Sequence, residues 1–107
     1  MAVIDDMRAS LREAMKARDR EAVSALRTAL AAVENAEAPP IDTAGLEVHG
    51  SLTQHDRLDL SAAEVTAVLR AQIVEREEAI ASLQGRGQDD TIARLTREIA
   101  VLVPFTA

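Results

Sequence analysis

Residues Leu60–Leu102 read LSAAEVTAVLRAQIVEREEAIASLQGRGQDDTIARLTREIAVL, and this stretch decides the fold class. It opens with Ser61 three residues before Glu64, the spacing of a capping box, in which each residue satisfies a backbone N–H of the other. Leu60 and Val65 flank that box as a hydrophobic staple. Apolar residues then recur at helical spacing through Val65, Leu69, Ile73, Ile80 and Leu83, and the pattern stops at Gly85-Arg86-Gly87. Asp89 and Asp90 stand where the positive end of a new helix dipole favours carboxylates. Ile92, Leu95, Ile99 and Leu102 carry that helix until Pro104 ends it. The stretch therefore predicts two helices, about 61–85 and 89–103, folded back on each other.

Upstream, Leu11–Ala38 reads LREAMKARDREAVSALRTALAAVENAEA and repeats the design. Ile4, Met7, Leu11, Ala14 and Met15 define a helix over about 2–17. Asp19 caps a second, about 20–37, which follows Val23, Leu26, Leu30 and Val33 until Pro39-Pro40 stops it. A connection this short requires antiparallel neighbours. The expected fold is all-α: two antiparallel helical hairpins forming a four-helix bundle in a single domain spanning 1–107. Residues 39–59 form a linker between them, punctuated by Pro39, Pro40, Gly45 and Gly50. A usual connection in so small a domain has about 4–6 residues. Such a long one is either mobile or wraps the outside of the bundle.

Composition narrows the functional classes. The 107 residues include one phenylalanine, no tryptophan, no tyrosine and no cysteine. The core must therefore be built from small aliphatic side chains, and disulfides, thiolate metal sites and cysteine nucleophiles are excluded. Thin alanine-rich helices bury little area each, which keeps a homodimer open. The first 20 residues lack a signal-peptide core and no apolar run approaches a membrane span, so a cytoplasmic protein with no membrane partner is expected. A net charge of −6 argues against a general polyanion binder, and DNA is not an expected partner. The charge is uneven: acids and bases balance in residues 1–35, whereas acids outnumber bases two to one thereafter.

Among polar residues, three groups stand out. Arg8, Arg12 and Lys16 repeat every fourth residue along one side of the first helix, with Arg18, Arg20 and Arg27 close by. Like charges at that spacing repel by a few tenths of a kcal/mol per pair, a cost that a phosphate backbone would reverse. The competing reading is a solvated face relieved by Asp5 and Glu13. With Phe105 as the one aromatic residue available for base stacking, the RNA in question would be folded rather than single-stranded. The second group is Gln72 and Arg76, which interrupt the apolar stripe of the third helix. They either fix the register of packing or line a shallow groove. Facing the first hairpin, they should find polar partners there, with Glu34, Asn35 and Glu37 as candidates. The third is His49 and His55 beside Asp56 and Asp59. These lack the helical Glu-x-x-His arrangement of bundle metal sites, so no metal is expected. No serine occupies a nucleophile elbow, no glycine loop cradles a phosphate after a strand, and neither a catalytic constellation nor a cofactor is expected.

The two stretches together cover about two thirds of the chain, and they resemble the GatB/YqeY family. Ala14-Met15-Lys16-Ala17-Arg18-Asp19, a following Leu26-Arg27 and the closing Asn35-Ala36-Glu37 match the family's first hairpin. Its second is matched by Leu60-Ser61, Glu64-Val65, Val68-Leu69-Arg70, Gln72-Ile73, Arg76 and Ala79-Ile80, then a glycine, an aspartate and Glu98-Ile99. The resemblance implies a link to glutamine-dependent amidation of transfer RNA-bound amino acids. It carries a label of carbon–nitrogen ligase with glutamine as amido donor, and a helical module that contacts transfer RNA. With nothing before the first helix to bind ATP, the chain resembles the stand-alone branch, an accessory module rather than an independent enzyme. Its implied partners are transfer RNA or a transfer-RNA-associated protein; a protein-binding adaptor or homodimer without an RNA role is the alternative. The chain departs from the family where Gln88 replaces a common arginine, Phe105 a tyrosine, and Thr106-Ala107 a Leu-Pro pair. The second helical lobe that family members carry is expected to be absent, and residues 39–59 resemble an insertion.

Overall fold

The computed structural model describes residues 1–38 and 59–107, which form four helices packed together, with no strand among them. They are α1 (Ala2–Ala17), α2 (Arg20–Glu37), α3 (Ala62–Leu83) and α4 (Asp89–Leu102), followed by a 3-10 turn over Val103–Thr106. The linker expected over 39–59 lies outside the described residues except for Asp59, as do His49, His55 and Asp56.

Local chemistry explains each boundary. Arg18 closes α1 in the left-handed conformation, with φ 57° and ψ 36°. The Asp19 N–H then reaches back to the Ala14 carbonyl at 2.9 Å, tying off the last turn. Asp19 is at once the end of that motif and the cap of α2, its carboxylate accepting from the Ala22 N–H at 3.2 Å. Ala38 leaves α2 in an extended conformation, ψ 138°, as a residue preceding proline must.

At α3 the capping box is complete. Ser61 Oγ accepts from the Glu64 N–H at 3.1 Å, and Glu64 Oε1 accepts from the Ser61 N–H at 2.9 Å. These bonds to the charged form hold the Glu64 carboxyl below the usual carboxylate range, the backbone donor contributing most. α3 ends at Leu83, two residues before the expected stop, because Gln84 already turns out of the helix with ψ 133°. Gly85 and Gly87 then take the positive φ values, 73° and 71°, that the reversal needs. α4 ends at Leu102, where Pro104 tightens the chain into the 3-10 turn.

α2 is the hub. Ala22, Ala25, Leu26, Ala29, Leu30 and Val33 are buried along it, and α1, α3 and α4 all pack against this one helix. Small side chains on α2 let three neighbours approach it closely, which is how an alanine-rich chain still reaches a close-packed core. Met7, Leu26, Val65, Leu69 and Leu102 are the largest fully buried side chains, one or more from each helix. α3 and α4 run antiparallel: Arg70 near the start of α3 meets Thr106, whereas Arg76 farther along meets Glu98. No residue from Glu77 to Arg97 is buried, so the distal part of this hairpin lies outside the core. No described helix is long and apolar enough to cross a membrane.

Candidate nucleic-acid interface

Two arginine sites lie within reach of one another along α2, and they differ in what satisfies them. The first is buried. Arg76 is 8% exposed and Glu98 3% exposed. Arg76 Nε donates to Glu98 Oε1 at 2.9 Å, Nη2 to Thr28 Oγ1 at 2.7 Å, and Nη1 to both the Gln72 carbonyl at 3.0 Å and Gln72 Oε1 at 3.2 Å. One guanidinium thus joins α2, α3 and α4. No buried side-chain nitrogen or oxygen among the described residues lacks a partner.

The partners differ from the expected set. Arg76 faces the interior, but Glu34, Asn35 and Glu37 do not meet it; Thr28, about two turns earlier on α2, and Glu98 on α4 do. The reason is the register of the two helices: the start of α3, at Leu60 and Val65, shares a cleft with Glu37 at the end of α2, so Arg76, eleven residues farther along, lies level with Thr28 near the middle. Sequence reasoning missed Glu98, yet a signal was present. Glu98 lies three residues after Leu95 and four before Leu102, on the apolar face of α4. The stripe of α3 is broken by a cation and that of α4 by an anion, and the two breaks face each other.

The second site is open. Met15, Arg18, Arg20, Val23, Ser24, Arg27 and Thr28 line a cleft of about 580 Å³ at the junction of α1 and α2. The left-handed turn at Arg18 places its side chain beside the first turn of α2, and Arg20, Ser24 and Arg27 follow at helical spacing. None of Arg18, Arg20 or Arg27 has a carboxylate partner among the described residues. Nearby cations are occupied: Lys16 pairs with Glu13 at 3.5 Å, Arg97 with Asp19 at 2.7 Å, and Arg94 with Glu98 at 3.5 Å.

The six basic residues singled out from the sequence therefore separate. Arg18, Arg20 and Arg27 share one cleft. Arg8 lines another, with Asp5, Glu37 and Asp59, at the opposite end of α1. Arg12 is exposed between them, and Lys16 is tied to its neighbour, though both partners are about three quarters exposed, where such a pair contributes little. No group of histidine, aspartate and glutamate suited to a metal ion occurs among the described residues.

A further groove of about 650 Å³ separates α1 from the end of α4. Ala9, Ala14, Ala17, Ala22 and Ala100 line it, with Phe105 at its rim.

A family model described as Yqey-like protein matches residues 4–106, nearly the whole chain, and the chain belongs to that family. No curated protein and no solved structure matches it.

Proposed function

We propose that this YqeY-like protein is a non-catalytic helical accessory module that presents Arg18, Arg20 and Arg27 to the phosphates of a folded RNA. The observation that carries this reading is the convergence of three arginines on one cleft without a carboxylate partner among the described residues. Arg76, Arg94 and Arg97, by contrast, each have an acid. Three unmatched guanidinium groups side by side repel, and a phosphate backbone converts that repulsion into attraction with release of counterions. Two further features favour an anion there. Arg20 is the first residue of α2, where the helix dipole adds positive potential. Arg18 occupies a left-handed conformation that costs a non-glycine residue about 1 kcal/mol. A charged side chain is thus kept where glycine would fit with less strain.

Transfer RNA is the first RNA to test, because the family resemblance points to modules that accompany transfer-RNA amidation. The net charge of −6 disfavours indiscriminate polyanion binding, and the excess of acids beyond residue 35 favours a contact on the first hairpin. The decisive experiment is electrophoretic mobility of a transfer-RNA pool at about 50 and 200 mM salt, with the wild-type chain and with Arg18, Arg20 and Arg27 replaced by glutamine. The expected result is binding that weakens with salt, with the log–log slope falling by up to about three in the variant. A wild-type chain that fails to shift transfer RNA at the lower salt removes the reading.

A second reading is a protein-binding adaptor or homodimer without an RNA role. It draws on the alanine-floored groove between α1 and α4 and on the exposed side chains of Met15, Val74 and Val103. Sedimentation of the purified chain beside the RNA assay separates the two: self-association without RNA binding selects the second.

A further inference from the structure

A neighbouring cleft of about 390 Å³ is lined by Arg20, Glu21, Ser24, Arg94 and Glu98, and it shares Arg20 and Ser24 with the basic cleft at the α1–α2 junction. The two clefts are thus adjoining parts of one surface, and Arg94 stands on its far side. We infer that Arg94 is a further phosphate contact, so that one segment of RNA backbone runs from Arg18 and Arg27 past Arg20 onto α4 and bridges the two hairpins. This inference rests on the reading of the basic cleft as a phosphate surface and extends it to an element that sequence reasoning left out.

Glu98 decides which arginine is free to move. Its carboxylate is almost fully buried and holds two arginines, unequally. Arg76, itself buried, donates to Oε1 at 2.9 Å; Arg94, with its side chain 53% exposed, approaches Oε2 at 3.5 Å. A buried carboxylate that lost its only cation would carry a large penalty, but Glu98 keeps Arg76 when Arg94 swings away. Arg94 is therefore the redundant member of the triad and the one with freedom to move. A 3.5 Å contact near the surface is a weak competitor for a phosphate, which takes a guanidinium bidentately and at shorter range. The charges facing the cleft also favour an anion. Glu98 is offset by Arg76 behind it, which leaves Arg20 and Arg94 against Glu21, a net positive surface. Ser24 supplies a hydroxyl between the two arginines, and its own carbonyl already accepts from Thr28.

The test uses the full chain and the same transfer-RNA pool, with Arg94→Gln and Arg94→Lys. Arg94→Gln is expected to lower the salt slope by about one, which over a fourfold rise in salt means losing about fourfold less affinity than the wild type. Arg94→Lys keeps the charge and should return the slope to within a few tenths of the wild-type value. Thermal melting of both variants should match the wild type, because Arg76 still holds Glu98. An Arg94→Gln slope equal to wild type, alongside a reduced slope for the Arg18, Arg20 and Arg27 variant, overturns the inference and leaves the basic cleft standing. A wild-type chain that does not bind removes both. Lysine failing to restore the slope, or a melting loss common to both variants, assigns Arg94 to packing and overturns the inference as well.

Discussion

Arg76 meets α2 at Thr28, ten residues or about 15 Å of helix beyond Arg18, and the fold treats these two arginines in opposite ways. Arg76 is enclosed by three helices and each of its three guanidinium nitrogens has an acceptor. Arg18 stands in a strained turn at the rim of an open cleft with no acid beside it among the described residues. A buried guanidinium must be satisfied by the protein itself, since desolvation without partners is too costly; once satisfied it has nothing left for a ligand. An exposed guanidinium is satisfied by water and stays available. The count of arginines says little about function here, and which of them the fold has already used says most.

Breaking the closed site should give the largest effect. Arg76→Ala leaves buried Glu98 with only the half-exposed Arg94 at 3.5 Å and should destabilise by about 3–5 kcal/mol in urea unfolding. Replacing Arg76 and Glu98 together with leucine should recover most of that loss, because no buried charge is then left unpaired. If the single and double variants were equally unstable, the pair would be contributing packing volume rather than charge.

Next in size is the contrast within the basic residues. Glutamine at Arg18, Arg20 and Arg27 should lower affinity for transfer RNA at least tenfold at about 100 mM salt, while glutamine at Arg8, Arg12 and Lys16 should lower it less. Arg8 sits among Asp5, Glu37 and Asp59, and Lys16 is paired with Glu13, so their field on an incoming phosphate is already offset. Equal losses from the two variants would restore the whole face of α1 as the contact surface and dissolve the distinction between cleft and stripe.

A smaller effect separates strain from charge at a single position. Arg18→Gly should stabilise the chain by about 0.5–1 kcal/mol, since glycine adopts φ near 57° without penalty, while weakening RNA binding. Stability rising as affinity falls would identify the strained arginine as retained for its charge. Arg18→Gly that destabilised instead would mean the side chain packs on Met15 or Val23 enough to outweigh its strain.

The smallest effect concerns the cap of α3. The Glu64 carboxyl is held below its ordinary value by the Ser61 N–H, so the folded state binds its proton less readily than the unfolded chain. Its stabilising contribution is thus fully present above the unfolded value near 4.5 and is lost as pH falls through the lower folded value. Glu64→Gln should remove this part of the acid sensitivity in a melt series from pH 6 to 3. Ser61→Ala should cost about 1 kcal/mol at neutral pH.

The helices and their ends were legible because their causes are local. The Ser61–Glu64 box, the Asp19 cap, the Gly85 and Gly87 reversal and the Pro104 stop each involve residues within a turn of one another, so spacing alone identifies them. The main slip, the two-residue overrun at the end of α3, is of the same kind: Gln84 leaves the helix before the first glycine, and nothing in its own side chain requires that. The burial of Arg76 could also be read from its place in an apolar stripe.

Its partners could not. Pairing Arg76 with Glu98 and Thr28 depends on the height at which α3 crosses α2 and on the antiparallel register of α4, both set by side chains far apart in the chain. The same is true of the open site. Sequence spacing groups Arg8, Arg12 and Lys16 because they share a side of one helix. The cleft instead collects Arg18, Arg20 and Arg27 from a left-handed turn and the helix beyond it, and sets Arg94 on the adjoining wall from another hairpin. The sequence by itself determined that the described residues make four helices with a polar break in their seam. Only the tertiary structure decided which charges cancel within the fold and which stay free for a partner, because cancellation is a property of distance in space.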